Sequence, residues 1–328
     1  MGFDSIYGQH LLKEALQRSL ASGETGHAYL FSGPPGSGKG TLALLFAQAL
    51  NCRNVDPPCG QCLPCRKSES GNHPDLFRLV PQGASLKIEQ IRDIKETLYY
   101  LPVEGQHKIC IMEDADLLTA PAANSLLKIL EEPPPSLVFI LLTARPWAIL
   151  PTILSRCTHF TLKPLQPQEM AALLQREGKL SGEQEIVFLL SGGNPGQALA
   201  LAEQGDWREK FVEARALLQT VEHGSPDGIF PLAEELSNRS DLPALLEIVL
   251  VVCRDRLMQT LKGCDGAAIL KEGEHPHTAP NNISDPNLLA LFHERICNAL
   301  LQLQGELRGS VNRRLALEVL FLQMRGVI

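Results

Sequence analysis

The sequence predicts an α/β protein in which a parallel sheet, covered by helices on both faces, precedes a helical C-terminal part. A glycine-rich loop at Gly33 to Thr41 stands between a short apolar run and a helical pattern. Further apolar runs alternate with helical patterns up to about Leu162, and strand-like alternation is absent from about Trp207 onwards. Such alternation is typical of parallel sheets that are buried on both faces.

The glycine-rich loop has the composition and the position of a phosphate-binding loop. It follows the apolar run Ala28 to Phe31 and precedes the helical run Leu42 to Leu50, so its backbone N–H groups and the start of the helix can face phosphate oxygens. Lys39 adds a mobile positive charge. The expected nucleotide-binding residues are Gly33, Gly36, Ser37, Gly38, Lys39, Gly40 and Thr41.

One position of the loop departs from the usual motif. Ser or Thr normally follows the lysine and holds Mg²⁺, whereas Gly40 stands here. Thr41 lies one residue later, about 100° further round the helix. The loop is therefore compatible with bound ATP or ADP, while the departure leaves the magnesium ion undecided.

Size and charge limit the class of protein. The chain has 328 residues, 44% of them hydrophobic, and a formal net charge of −7. This length and hydrophobic content are enough for about two or three globular domains. The negative charge argues against a broad basic face for nucleic acid, so any DNA contact is local or shared with partners. Without a signal-peptide pattern or a run of about 20 apolar residues, we expect a cytoplasmic protein with no membrane partner.

Four closely spaced cysteines predict a metal site. Proline and glycine residues place turns between Cys52, Cys59, Cys62 and Cys65, and four thiolates on such a loop suit structural Zn²⁺. The alternatives are an iron–sulfur cluster, although the bacterial ferredoxin spacing differs, and thiols without metal. A closed four-ligand site would fold a zinc module at about residues 52–66 and would catalyse nothing.

The next predicted elements bring acidic residues to the end of a strand. An extended segment at Leu76 to Val80 and a helix at Ile88 to Tyr99 lead to the buried-strand run Lys108 to Met112, which ends in Glu113 and Asp114. Near a phosphate loop, such acids place one carboxylate at Mg²⁺ and another at the attacking water; alternatively, they cap the following helix. The usual order is Asp then Glu, and the reversed order argues against both catalytic roles.

Two further strands complete the predicted sheet, at Leu137 to Leu142 and at Thr158 to Leu162. Thr143, at the tip of the first, could sense a γ-phosphate through its hydroxyl or could hydrogen-bond the turn. The remaining helical patterns are Ala120 to Glu132, several helices between Leu165 and about Ala202 that suggest a small lid, Phe211 to Val221, Ile229 to Leu236, Leu242 to Leu261, Leu288 to Leu303 and Asn312 to Met324.

Taken together, these motifs resemble those of a known family. The stretches that carry the resemblance are His27 to Phe31, the loop at Gly33 to Thr41, the Cys52 to Cys65 array, Ala123 to Pro133 and Ser155 to Cys157. They are similar to the subunits of the bacterial replicative clamp loader, which belong to the AAA+ family. The resemblance implies an AAA+ P-loop parallel-sheet domain with an inserted zinc module at residues 1–164, a small helical lid at 165–205 and an all-α collar at 206–328.

The same resemblance implies the partners. Clamp-loader subunits assemble through the collar into a hetero-pentamer, here with motor (gamma/tau-like) and delta-like subunits. The complex opens the sliding clamp and loads it onto primed DNA. Contact with the clamp and with DNA is therefore expected through the complex.

Within this family, the resemblance favours a stator-type subunit over an ATP-hydrolysing motor. Besides Gly40 and the inverted pair Glu113 and Asp114, Gly196 occupies the position of a lid arginine that reaches the γ-phosphate in motor subunits. Weak or absent hydrolysis by the chain itself is the expectation. Arg156, in the Ser-Arg-Cys stretch, corresponds to the arginine that such subunits donate in trans to a neighbour's ATP. Alternatively, Arg156 forms an ordinary ion pair at the surface.

Three other interpretations stay open. The chain could be an active motor subunit, or a scaffold whose loop is empty. From a different class, nucleoside monophosphate kinases of the adenylate kinase type share the Lys-Gly-Thr ending, and some carry four zinc cysteines. Their cysteines lie far downstream in two pairs, however, and their Asp-Gly-Phe-Pro-Arg stretch has no counterpart in this sequence.

Overall fold

The structure is a computed structural model that describes residues 2–179, 184–204, 207–262, 285–307 and 311–326. The chain forms two compact units. The first comprises Met1–Glu177 with Gly193–Gln197, and the second comprises Gly178–Gly192 with Ala198–Ile328. The division into three domains at residues 164 and 205 stays a prediction.

A five-stranded sheet organises the first unit. Its strands are β1 (Ala28–Ser32), β2 (Leu76–Leu79), β3 (Lys108–Met112), β4 (Leu137–Thr143) and β5 (Thr158–Thr161). They lie in the order β2-β3-β4-β1-β5, and all neighbouring pairs are parallel. The α/β parallel-sheet fold is thus confirmed, and each predicted strand agrees with the structure to within one residue at either end.

The helices follow the predicted alternation and then fill the second unit. They are α1 (His10–Ser22), α2 (Lys39–Leu50), α3 (Leu63–Glu69), α4 (Ile88–Tyr99), α5 (Ala120–Glu131), α6 (Pro151–Leu154), α7 (Pro167–Arg176), α8 (Gln184–Ser191), α9 (Pro195–Gln204), α10 (Trp207–His223), α11 (Ile229–Ser237), α12 (Leu242–Lys262), α13 (Pro286–Glu306) and α14 (Arg313–Met324). The patterns had not indicated α1, α3 or α6.

Apolar packing covers the sheet on both faces. Alternate residues of β1 point to opposite sides: Leu30 joins a cluster with α4, α5 and α6, whereas Phe31 joins a cluster with α1 and α2. On the second side the rings of Tyr29 and Phe46 form a T-shaped pair, with 4.9 Å between their centroids. Both phenylalanines are fully buried, and burial of such a side chain stabilises a fold by about 1.5–3 kcal/mol.

This packing brings three strand ends to one edge of the sheet. Because β3, β4 and β1 are parallel neighbours, the residues after them emerge side by side. Ser32 pairs with Thr143 in the register of β1 and β4, and the N–H of Gly33 donates to the carbonyl of Thr143 at 3.1 Å. Glu113, directly after β3, donates its N–H to Leu79 at 2.8 Å. Ligand sites of α/β proteins lie at this edge.

The described part of the second unit consists of helices, as the sequence predicts. α12 packs against α10 and α13, and α11 packs against α14. Among the described helices, none has both the length and the low polarity needed to cross a bilayer.

A buried ionic cluster lies between α10, α12 and α13. Arg256 donates to Glu222 at 2.6 Å, and both side chains are more than nine-tenths buried. His293 is buried nearby. Its burial, reinforced by the positive charge of Arg256, lowers the pKa of His293 from the usual 6.5 to about 4.

This histidine predicts an acid-sensitive helical unit. Between pH 6.5 and about 4, His293 binds a proton in the unfolded chain but not in the folded one. The free energy of unfolding therefore decreases as the pH is lowered, by about 3 kcal/mol at pH 4. We expect His293→Leu to flatten the decline of the melting temperature across this range, measured by circular dichroism. The control is His223→Gln at an exposed histidine, which should keep the wild-type slope; an equal slope in all three proteins would contradict the assignment.

Candidate nucleotide-binding site and cysteine cluster

The glycine-rich loop joins β1 to α2, as predicted. Gly36 and Gly38 have φ angles of 81° and 90°, which side chains rarely tolerate. Gly38 is followed directly by the first residue of α2, Lys39. The loop therefore meets the start of a twelve-residue helix, where free N–H groups and the positive end of the helix dipole favour an anion.

Lys39 lies folded against its own loop. Its Nζ donates to the carbonyls of Gly33 at 2.7 Å and Pro34 at 2.9 Å. Burial lowers the pKa of Lys39, and the charges of Asp114 and Asp116 oppose that shift. A phosphate would therefore compete with two loop carbonyls for the ammonium group.

A cavity of about 340 Å³ opens beside the loop. Its wall includes Lys39, Gly40 and Thr41 from the loop and the start of α2, Arg78 from β2, and the acids Glu113 and Asp114. The volume is within the range of small-molecule sites, roughly 300–1,000 Å³. The structure thus brings together the predicted loop and the predicted acid pair.

Gly40 is not required by packing. A Cβ atom at this position would meet nothing within 4 Å, so a serine or threonine would fit. The missing hydroxyl is therefore a chemical departure from the motif and has no steric cause.

The two acids differ in their surroundings. Glu113 forms a short ion pair with Nη2 of Arg78. Asp114 has a left-handed backbone with φ of 45° and is exposed. The carboxylate expected to hold a metal is thus already bound by a guanidinium group.

Thr143 is engaged in a buried network. Its Oγ1 donates to Asp116 at 2.6 Å and accepts from the backbone N–H of Arg145 at 2.9 Å. Nε of Arg145 donates to the second oxygen of Asp116 at 2.8 Å. Burial opposes ionisation of Asp116, but the hydrogen bonds from Thr143 and Arg145 outweigh it and lower the pKa of Asp116. The hydroxyl proton of Thr143 therefore points to Asp116.

Residues that precede and begin α9 clamp the loop. Asn194 donates to the carbonyl of Pro35 at 2.7 Å and accepts from the N–H groups of Gly196 and Gln197 at 3.1 and 3.2 Å. The N–H of Gly196 also donates to the carbonyl of Gly36 at 2.9 Å. A Cβ at Gly196 would lie 2.8 Å from Cα of Gly36, so the contact requires glycine.

Arg156 lies apart from these groups, just after α6. Its Nη1 donates to the carbonyl of Thr152 and its Nη2 to Glu131, each at 3.0 Å. The side chain is 35% exposed and is not among the residues that line the cavity of its own chain.

The four cysteines form one cluster. All four Sγ atoms lie within 4.8 Å of one another, and the pairs Cys52–Cys62 and Cys59–Cys65 are separated by 3.9 and 4.0 Å. Tetrahedral zinc with Zn–S bonds of about 2.3 Å requires sulfur atoms about 3.8 Å apart. The cluster could therefore hold a metal ion of this size without rearrangement.

Local structure orients these thiols. Cys62 directly precedes α3 and Cys65 lies within it. The backbone N–H groups of Cys62 and Gln61 donate to Sγ of Cys59 at 3.3 and 3.4 Å and lower the pKa of the Cys59 thiol to about 6. The thiolate of Cys59, the form that binds metal, is therefore stabilised, whereas burial raises the pKa of the Cys52 and Cys65 thiols.

Sequence reasoning did not find Arg78, Asp116 or Asn194 as parts of the site. Arg78 lies in a predicted strand, and a single arginine there is not part of a recognisable motif. Asp116 comes two residues after the recognised acids, and Asn194 lies in a glycine-rich stretch far along the chain. An ion pair or a clamp between distant segments requires the three-dimensional structure.

The family model and the curated relatives that match the chain point to one family. A family model described as DNA polymerase III, delta subunit, matches residues 8–166. The delta' subunit of DNA polymerase III from Bacillus subtilis (strain 168) is 32% identical over 254 residues, which cover 76% of this chain and 77% of that protein. The tau subunit of the same organism is 35% identical over 294 residues, which cover 80% of this chain and 51% of that protein.

The coverage differs among the relatives. The chain spans about half the length of the Bacillus subtilis tau subunit, and 36% of the tau subunit of Escherichia coli (strain K12), to which it is 34% identical over 232 residues. A solved structure of a gamma subunit-related protein from Thermotoga maritima is 20% identical, with a TM-score of 0.44 over 95% of this chain and 98% of that one. Relatives named tau and delta' match at similar identity, so the choice between them depends on the chain's own residues.

The Asn194 clamp generates a prediction about the loop. Asn194→Ala removes the hydrogen bond to Pro35 and the hydrogen-bond acceptor at the start of α9. These changes should lower the stability of the loop contact by about 1 kcal/mol. We expect amide hydrogen exchange in residues 33–38 to accelerate about fivefold or more, measured by mass spectrometry. Asn72→Ala, at an exposed asparagine of another loop, is the control; exchange that is unchanged in both variants would show that the clamp does not hold the loop.

Proposed function

The chain belongs to the family of bacterial DNA polymerase III clamp-loader subunits that includes delta-prime, gamma and tau, and from this premise we propose that it is the stator, of delta-prime type. In this role it assembles with motor (gamma/tau-like) and delta-like subunits in a hetero-pentamer. The complex loads the sliding clamp onto primed DNA. The chain hydrolyses little or no ATP itself and donates Arg156 to the ATP site of a neighbour.

The observation that carries this proposal is the state of the groups around the loop. Gly40 lacks the metal-binding hydroxyl, Glu113 is paired with Arg78, and the hydroxyl of Thr143 donates to Asp116. Gly196 has no side chain to reach a γ-phosphate. The groups expected at the metal and at the γ-phosphate are thus altered, and the acid pair Glu113 and Asp114 has the reversed order, which favours a stator over a motor. The loop and Lys39 still suit the phosphates of ATP or ADP.

The environment of Arg156 supports its role in trans. Its partner Glu131 is 52% exposed, and exposed ion pairs contribute only about 0–1 kcal/mol. A neighbour's phosphate can therefore replace Glu131 at little cost. A guanidinium group delivered in this way stabilises the charge that develops on the transferred phosphoryl group.

The arginine role predicts a defect that appears only in the assembled complex. Arg156→Ala should lower ATP turnover at the site it faces by about 10³-fold, seen as a loss of part of the steady-state ATPase of the complex, while gel filtration shows intact assembly. Glu131→Gln is the matched control, because it removes the ion pair and keeps the guanidinium; its complex should turn over ATP normally.

Two results would count against this assignment. Normal turnover in an intact Arg156→Ala complex would remove the role in trans. Steady ATP hydrolysis by the purified chain alone, stimulated by primed DNA, would favour the motor interpretation.

We further propose that the cysteine cluster holds structural Zn²⁺. The sulfur separations of 3.9 and 4.0 Å fit a tetrahedral ion, and the four thiols would occupy all its positions. Such a site stabilises the segment between α2 and α3 and leaves no position for a substrate. An iron–sulfur cluster would use the same thiols but would absorb visible light.

Metal analysis tests this assignment. The purified protein should contain one zinc ion per chain, and chelation should lower its melting temperature, since metal binding contributes to folding. Cys62→Ser should lose the zinc. The control is Cys157→Ser, because Cys157 is half-buried and outside the cluster; zinc should be retained. Visible absorption with bound iron, or a metal-free protein of full stability, would contradict the proposal.

A further inference from the structure

The ion pair between Arg78 and Glu113 lies in the cavity where a P-loop protein would hold Mg²⁺. Glu113 follows β3 at the edge where P-loop proteins present the carboxylate that binds Mg²⁺. Arg78 reaches it from β2, the neighbouring strand, and lines the same cavity as Lys39 and Thr41. A guanidinium group thus lies against the expected metal ligand.

The residues present do not fit a magnesium ion well. Mg²⁺ requires a near-octahedral set of oxygen ligands and is usually held by one or two carboxylates together with substrate phosphates. Gly40 supplies no side-chain oxygen, and of the two acids on the wall Glu113 faces the positive charge of Arg78, which leaves Asp114 as a single carboxylate. A divalent cation placed there would be repelled by Arg78 and would have to break its ion pair.

The same residues fit a nucleotide phosphate without a metal. A guanidinium group has five N–H donors in a planar fork. Arg78 contacts Glu113 through Nη2, which leaves the rest of the fork to donate to a phosphate oxygen. The side chain is 54% exposed, so it is accessible from the cavity. Lys39 provides the second positive charge on the wall.

We propose that the loop binds the diphosphate of a nucleotide without magnesium, with the guanidinium group of Arg78 in place of the metal ion. The proposal rests on the nucleotide binding included in the proposed function, and goes beyond it by naming the cation. Glu113 then orients Arg78 toward the phosphates instead of holding a metal. The arrangement also explains why the chain can keep a phosphate loop yet lack hydrolysis, because no metal polarises the γ-phosphate.

Equilibrium titration with a fluorescent ADP analogue tests the proposal on the full chain. Magnesium is removed by dialysis against metal-free buffer, because a chelator such as EDTA would also extract zinc from the cysteine cluster. We expect the dissociation constant to agree within about twofold with and without millimolar Mg²⁺. Arg78→Ala should weaken binding about tenfold or more, the usual effect of losing a charge-assisted hydrogen bond. Arg92→Ala, at an exposed arginine of α4 outside the cavity wall, should not.

A second variant separates the two possible roles of Glu113. If it only orients Arg78, Glu113→Gln keeps an oxygen that can accept from Arg78 but removes a negative charge from the cavity, so metal-free binding should be retained or tightened. If it is a metal ligand, the same variant should weaken binding, and only in the presence of Mg²⁺. Circular dichroism confirms that each variant is folded.

The outcomes are distinct. Binding to the wild type that Mg²⁺ strengthens about tenfold or more would overturn the role of Arg78 while nucleotide binding itself stands. Equal affinity in Arg78→Ala and Arg92→Ala would do the same. No binding under either condition would overturn this inference together with the nucleotide part of the proposed function, whereas the role of Arg156 is decided separately by the ATPase of the complex.

Discussion

The closely packed parallel sheet is the constraint on which the site depends. Apolar residues of β1, β3 and β4 are buried on both faces, so these strands can neither slide nor rotate without losing core contacts. Their fixed register places the glycine-rich loop, the acids after β3 and Thr143 at one edge. The chemistry of the site is then determined by which side chains the sequence supplies at that edge.

At that edge, most of the polar groups are already paired within the chain. Arg78 binds Glu113, Arg145 and Thr143 bind Asp116, and Lys39 binds carbonyls of its own loop. This internal pairing agrees with the proposed stator role, in which the subunit keeps its shape while its neighbours change state. Arg156, the arginine proposed to act in trans, does not line this cavity and is partly exposed.

The sequence predicted the fold more fully than the site, for a physical reason. Strands and helices depend on local periodicity, and buried runs such as Lys108 to Met112 were identified at their observed bounds. The four cysteines and the glycine-rich loop were also recognised, since each is a contiguous motif. The sequence does not reveal the roles of Arg78 and Asn194. The Arg78–Glu113 ion pair joins two strands, and the Asn194–Pro35 hydrogen bond joins residues 159 positions apart, so neither contact produces a local sequence pattern.

The close approach of Gly36 and Gly196 has an evolutionary consequence. Their backbones touch so closely that a side chain at either position would collide with the other segment or with Asn194. The two sites are therefore epistatic, and the cost of any substitution at one depends on the residue at the other. A side chain could be introduced at position 196 only after the loop contact had loosened, so a variant with a side chain there is not reached at low cost by a single mutation.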